Sequence, residues 1–370
     1  MGAAFTKVLD IAERLGDSEY QLRALRGLYF YHTGSSRYRA ALPFAQKFHN
    51  LTMNGSDLND RLFGERSMGA AKHFLGDQIG ARPHLEHVLA HYAASDPARD
   101  VIRFQDVVRF GTDLRVSARV FLARVLWLQG FSDQAVRTAE ISVAEAQATG
   151  HALSLCYALA LAACPIALWV GELTTAAHYT GMLVDLSREH SLPHWGAFGS
   201  RFQRVVVLMG RNVDAAPRRP RAGSNETAQP NIDFRFLSGL SELAEALAHV
   251  GRIAEALAVL EGAFEQSEAG WLTPELLRLK GEILLLQSAP ELEEPAERLF
   301  RQALDGAQGT LAWELRAATS LARLLRNRGR PADAIACLQP VYDRFTEGFD
   351  TGDLIAAKQL LDELGGARRD

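Results

Sequence analysis

A glycine followed five residues later by an alanine recurs along this chain, at Gly76/Ala81, Gly130/Ala135, Gly171/Ala176, Gly210/Ala215, Gly251/Ala256 and Gly329/Ala334. Successive glycines are 54, 41, 39, 41 and 78 residues apart, and the last interval, twice 39, leaves room for one degenerate copy. A recurrent period of this length is the mark of stacked helical hairpins. Glycine allows the tight turn between two antiparallel helices, and a small residue one and a half turns into the second helix lets the pair approach closely. The spacing therefore predicts an all-α fold, a right-handed superhelix of about eight hairpins (an α-solenoid) with a C-terminal capping helix.

Around those glycines the first four hairpins read as Ser18 to Asn50, Leu58 to Tyr92, Asp113 to Thr149 and Gly150 to Ser191. The first is irregular: Ser18 and Gln21 have the spacing of a capping box, Gly34 marks the turn, and its small residue, Ala40, sits one place late. A fifth hairpin starts at Pro193 and turns at Gly210, but its second helix fails, because Arg211 to Asn231 holds Pro217, Pro220 and Pro230 without an apolar stripe. A regular sixth hairpin runs from Asp233 to Ser267, a seventh starts at Thr273 with its turn lengthened through Ser288 to Pro295, and the eighth runs from Leu311 to Phe345. Gly352 to Leu364 reads as the amphipathic cap. The expected organisation is one solenoid: repeats over 1–210, an irregular loop or hinge over 211–232, and repeats with the cap over 233–370. Residues 93–112 are extra length between the second and third hairpins.

A net charge of −4 over 370 residues gives no general footprint for nucleic acid or an anionic membrane. The three cysteines, Cys156, Cys164 and Cys337, have no metal-ligand spacing, and the odd number suits a reducing compartment. With no extended apolar segment at the N-terminus, the expected location is the cytoplasm. Ala152 to Val170 is long and apolar enough to cross a membrane, and no Asp, Glu, Lys or Arg occurs from Ala146 to Gly171. It reads instead as a buried repeat helix: it keeps the hairpin register, lacks flanking basic anchors, and contains Pro165, which removes a helical hydrogen bond and predicts a kink.

Little catalytic chemistry is legible. His84, His87 and His91 lie at i, i+3 and i+7, a spacing that suits zinc, but no fourth ligand accompanies them and they read as an exposed helix face. Neither a metal site, a cofactor nor a catalytic constellation is expected, so the chain reads as no enzyme. First helices of such hairpins line a concave face, and helical spacing points Arg66, His73, Arg124, Trp127, Trp169, Arg204, Arg323 and Arg326 towards it. Arginine mixed with aromatic rings suits an anionic or extended peptide, so the expected partner is a protein or peptide held in that groove.

Five blocks carry a further likeness: RLGDSEYQLRALRGLY at 14–29, GHALSLCYAL at 150–159, ELLRLKGE at 275–282, LAWELRAATSLARLL at 311–325 and VYDRFTEGF at 341–349. They resemble the C-terminal tetratricopeptide-like repeat region of large bacterial signalling ATPases. In that family a winged-helix or class III adenylate cyclase domain precedes an ATPase module, and the helical repeats follow. The resemblance spans roughly Ile11 to Leu364 apart from Arg211–Asn231. It implies an interaction and sensing scaffold that works with an ATPase or effector module. The sequence has no G-x-x-x-x-G-K-[ST] loop, so ATP hydrolysis, cyclase activity and DNA contact do not carry over. A stand-alone adaptor, or less readily an all-helical enzyme, is the alternative reading.

Overall fold

The computed structural model describes residues 1–53, 57–92, 109–214, 239–266 and 270–366, together with Gly55, Val107 and Glu268. All regular structure among them is helical. A single helix, α1 (Gly2–Leu15), precedes the hairpins α2 (Ser18–Thr33) with α3 (Tyr38–Met53), and α4 (Leu58–Phe74) with α5 (Gln78–Tyr92). Then come α6 (Leu114–Leu128) with α7 (Ser132–Thr149), and α8 (Ala152–Trp169) with α9 (Leu173–Glu189). The long α10 (Pro193–Asp214) closes the first half. The second half stacks α11 (Leu240–His249) with α12 (Ile253–Gln266), α13 (Thr273–Leu285) with α14 (Glu293–Gly306), and α15 (Leu311–Asn327) with α16 (Pro331–Tyr342). The cap is α17 (Gly352–Gly366). Successive helices pack on one another throughout, which is the expected solenoid.

The turns explain where the sequence pattern holds and where it slips. Gly76, Gly130, Gly171, Gly251 and Gly329 take left-handed φ angles of 93°, 90°, 88°, 78° and 71°, and the alanine five residues on is fully buried in each case. In the first hairpin Gly34 stays right-handed, and Ser36, at φ 54°, makes the turn. Counted from Ser36, the small residue is Ala41, which is completely buried, so the five-residue rule is kept and Ala40 is not the packing residue. The helix cap is also one place earlier than the sequence suggests: Asp17 accepts the Tyr20 amide at 3.1 Å. Ser288, at φ 54°, marks the degenerate copy between Gly251 and Gly329. Gly210 makes no turn, since α10 runs through it to Asp214. The expected loop or hinge from 215 to 232, with its arginine run, lies outside the described residues, as do residues 93–106 of the extra length.

The two halves meet along the turn edges of the first. Glu268 binds the Arg39 amide at 2.6 Å beside the α2–α3 turn, and the Trp271 amide donates to the Phe74 carbonyl at the α4–α5 turn (3.3 Å). Past the α6–α7 turn, the Gln134 amide and side chain donate to the two Glu347 oxygens at 2.9 Å each. At the end of α8, Arg316 Nη2 donates to the Trp169 carbonyl at 3.1 Å. One continuous core reaches from Leu9 to Trp313.

Gly130 needs its lack of a side chain twice, for its left-handed backbone and because a Cβ would stand 2.8 Å from Leu311 and 3.0 Å from Phe345. Gly329 has a comparable backbone and nothing within 4 Å. Gly329→Ala should therefore cost about 1–2 kcal/mol, the left-handed penalty alone. Gly130→Ala should cost roughly 1–3 kcal/mol more, because it overpacks the contact between the halves. Urea unfolding of the two variants side by side checks the difference, and equal losses would remove the close contact at Gly130.

Candidate functional site

The residues expected to line a groove converge in the middle of the molecule, and five of them are buried: Arg66, His73, Arg124, Trp127 and Trp169 are each less than 5% exposed. The local cause begins with Pro165. An amide at position 165 would bond the carbonyl of residue 161 in an α-helix, and proline has no N–H to give. Here α8 passes through a π-turn over Leu159–Ala163, and Arg124 Nη1 from α6 donates to the Leu161 carbonyl at 3.0 Å. The buried Arg124 thus supplies a donor to a carbonyl whose α-helical partner, residue 165, has none.

Arg124 fixes the next residue. Its Nε–H donates to His73 Nε2 at 3.0 Å, and a guanidinium has no acceptor, so Nε2 carries the lone pair. The proton therefore sits on Nδ1, which donates to Gln78 Oε1 at 2.9 Å, while Gln78 Nε2 returns to the His73 carbonyl at 3.1 Å. Burial and the neighbouring Arg124 hold His73 well below the usual histidine range. Burial likewise pulls Arg124 down to about 10, so it is still a cation at neutral pH.

Four of the five tryptophans form the cluster around this pair. Trp127 and Trp169 come from the first half, Trp271 and Trp313 from the second, with centroids 4.6 Å apart for Trp127/Trp169 and 4.7 Å for Trp127/Trp313. The Arg124 guanidinium lies 4.4 Å from the Trp271 ring centre, and Arg316 lies 5.2 Å from both Trp127 and Trp313. Trp313 Nε1 donates to the Trp271 carbonyl at 2.9 Å, and Trp169 Nε1 donates to the buried Glu242 carboxylate. Burial raises the Glu242 carboxyl. The inner wall at Arg124, Trp127, Trp271 and Trp313 is thus packed protein. Arg66 belongs to the same interior, donating to Ser117 Oγ at 2.6 Å and to the Tyr157 hydroxyl at 2.7 Å.

The other expected residues lie apart. Arg204 on α10 pairs with Glu255 at 3.5 Å, and Arg326 is exposed and pairs with Glu363 at 2.5 Å. Arg323 is exposed at the mouth of a cavity of about 200 Å³ that also touches Trp169, Arg278, Arg316 and Asp353. Sequence reasoning missed the residues that make this junction. Glu275, 2% exposed, receives Arg278 at 2.8 Å and Arg316 at 3.0 Å, and Arg316 reaches Asp353 at 2.7 Å. Burial alone would raise Glu275, but the two guanidinium groups outweigh it and hold the carboxyl below its ordinary value. The Glu275/Arg278 spacing is visible on one helix face, whereas the Glu275–Arg316 contact depends on how α15 stacks on α13.

Of the histidines on α5, His84 turns inward to Glu65 at 2.6 Å, while the His87 and His91 rings lie 4.5 Å apart. Among the described residues no group of three His, Cys, Asp or Glu is arranged to hold a metal. Burial pushes the Cys156 and Cys164 thiols up to about 11 and about 12, as expected of packing residues. The helix that carries them is apolar and long enough to cross a membrane, and 72% of that window is buried within the protein. A cleft of about 390 Å³ lies between α7 and α9, with α8 as its floor.

The model of the tetratricopeptide repeat matches residues 116–140, 237–261 and 315–340, segments centred on the turns at Gly130, Gly251 and Gly329. No curated protein matches the sequence. Among solved structures, the chain is similar to the crystal structure of the P58(IPK) TPR domain at 2.5 Å, with 13% identity covering 98% of this chain and 98% of that one; the TM-score is 0.32, too low to bear on function.

Two outcomes are expected of the interior. Arg124→Met should destabilise by about 2–5 kcal/mol, since the Leu161 carbonyl and His73 Nε2 lose their donor. In the Pro165→Ala background the loss should be about 1 kcal/mol smaller, because residue 165 then has an amide that reaches the Leu161 carbonyl when the turn takes α-helical bonding; a double-mutant cycle by urea unfolding measures that coupling, and a value of zero refutes the link. The second outcome concerns pH. His73 is depressed in the folded state, so protonation favours unfolding; its contribution is whole above about pH 6.5 and is lost as pH falls below that value. His73→Gln keeps an acceptor for Arg124 without titrating, so unfolding free energies measured from pH 7.5 to 5 should fall less steeply for the variant.

Proposed function

We propose that this tetratricopeptide-type solenoid is a non-catalytic protein-interaction and sensing scaffold that works in the cytoplasm as the repeat region of a bacterial signalling ATPase regulator. The observation that carries the scaffold reading is the repeat itself: three hairpins match the tetratricopeptide repeat within a continuous stack of helices. Stacked hairpins present long ordered faces, whose chemistry is extended contact with another chain. The five sequence blocks that resemble the repeat region of signalling ATPases support the finer assignment.

Packing of the inner wall directs this reading to the rest of the surface. With the tryptophan cluster between α6, α8, α15 and the start of α13, a protein or peptide partner engages the second-helix side, the turn edges or the ends of the array. An ATPase or effector module joined to this chain is the partner that the sequence blocks suggest.

The DNA on both sides of the reading frame tests the assignment. An in-frame nucleotide-binding ATPase module is the expected finding, and a self-contained promoter and start site would make the chain an independent adaptor. Calorimetry of the chain with ATP and magnesium should be flat, because the sequence has no phosphate-cradling loop. Saturable micromolar heat would overturn the scaffold reading.

A further inference from the structure

The cleft between α7 and α9 differs from the interior in both shape and charge. Its walls are the second helices of two consecutive hairpins, and its floor is the last part of α8, Ala163, Ile166, Ala167 and Val170. Small residues keep it open: Ala139 on one wall faces Ala163 and Ala167 on the floor, and Tyr179 supplies an aromatic surface. The floor begins where the π-turn of Leu159–Ala163 ends, and such turns re-aim the helix that follows, often at functional positions. A volume of about 390 Å³ lies at the small end of the range for ligand pockets, enough for one long side chain and an apolar neighbour.

The rim is acidic. Asp133 and Glu140 on α7, Glu172 before α9 and Asp350 before α17 come from three separate parts of the chain and line one opening, with Arg137 as the single basic residue among the lining side chains. None of the four carboxylates has an ion pair among the described residues. Nearby carboxylates outside the cleft are engaged: Glu145 holds Arg115 and Arg119, and Glu314 holds Arg344. An open cleft with an excess of unpaired negative charge, an apolar floor and an aromatic wall repels anions and favours a cation attached to a hydrocarbon stem.

We propose that this cleft is a docking site for a lysine or arginine side chain, followed by an apolar residue, on a segment of a partner protein. The inference rests on the scaffold reading above and adds the chemistry of the partner. The basic head meets the carboxylate rim and the face of Tyr179, while its stem and the apolar neighbour cover Val136, Ile166 and Val170. The contacts at the rim are charge-assisted and partly exposed, so they weaken with salt.

The test pans a bead-bound random hexapeptide library against the fluorescently labelled full chain, in three forms. These are the unaltered protein, Glu140→Gln/Glu172→Gln, and Ala167→Phe, which fills the floor. Glu140 and Glu172 are exposed, so their replacement spares the fold, and matching urea midpoints verify it. The expected result is enrichment of peptides with Lys or Arg beside an apolar residue, with affinity falling at least about tenfold in the double variant and falling further at 0.5 M salt. Ala167→Phe should abolish the same binding; if that variant does not fold, the carboxylate variant decides alone. Enrichment of acidic or neutral peptides overturns the proposal. Basic peptides that bind equally well to the double variant also overturn it, yet leave the scaffold reading standing. No enrichment of any peptide counts against both.

Discussion

The arrangement depends on a cluster of four indole rings with two guanidinium groups set among them. Two of the rings come from each half of the chain, so the cluster is the point at which the solenoid closes on itself. The guanidinium groups of Arg124 and Arg316 are tolerated there because each has a neutral or acidic partner and an indole face. Desolvating a cation costs several kcal/mol, and hydrogen bonds to a carbonyl, an imidazole nitrogen or a carboxylate, with the ring quadrupole, are what offset that cost. The origin of one of these demands is covalent: Pro165 has no amide hydrogen, and a residue 41 positions earlier supplies the missing donor.

Much of the architecture was legible because the hairpin turn has a steric signature. A left-handed turn residue and a small residue five places later are imposed by backbone geometry, and both occur in six hairpins, five of them with glycine at the turn. The first hairpin shows the limit of reading by residue type: serine at 36 performs the turn that Gly34 was expected to make, and only the structure separates Ala41 from Ala40. Gly210 shows the opposite error. A glycine with the right spacing sits inside α10, where the neighbouring Val205 to Met209 stripe keeps the helix going against a propensity loss of only about 1 kcal/mol. The helix α1 was passed over because it has no turn before it to fix a register.

The interior was legible as a set of residues and not as an environment. His73, Arg124, Trp127 and Trp169, placed on one wall by helical spacing, contact one another in the structure. Whether a wall is open depends on what stands opposite, and the opposing residues, Trp271, Trp313 and Arg316, lie 144 or more positions further along than Trp127. Arginine and tryptophan are the residues of a binding surface and also of a buried cation–π core, so composition cannot choose between them. The cleft between α7 and α9 escaped notice for a related reason: its walls are alanines and dispersed carboxylates, none of which forms a motif in the sequence.

Closure also decides which kind of conformational change the scaffold can transmit. A tryptophan buries about 150–250 Å² when fully packed, and at about 25 cal/mol per Å² each ring contributes roughly 4–6 kcal/mol. Separating the halves enough to admit a peptide between them would expose most of four such rings and also break the Arg316–Trp169 carbonyl, Trp169–Glu242 and Gln134–Glu347 hydrogen bonds. A micromolar partner supplies only about 8 kcal/mol in total. The inner wall is therefore a fixed part of the molecule, and a partner cannot act by prising it apart. Differential binding has to use surfaces that are already open, where a small shift between neighbouring second helices changes a cleft without exposing the cluster. The α7–α9 cleft meets that condition, because Asp350 and Thr351 from the far end of the chain line it together with α7. A residue docked there touches both halves at once, and so senses their closure without having to undo it.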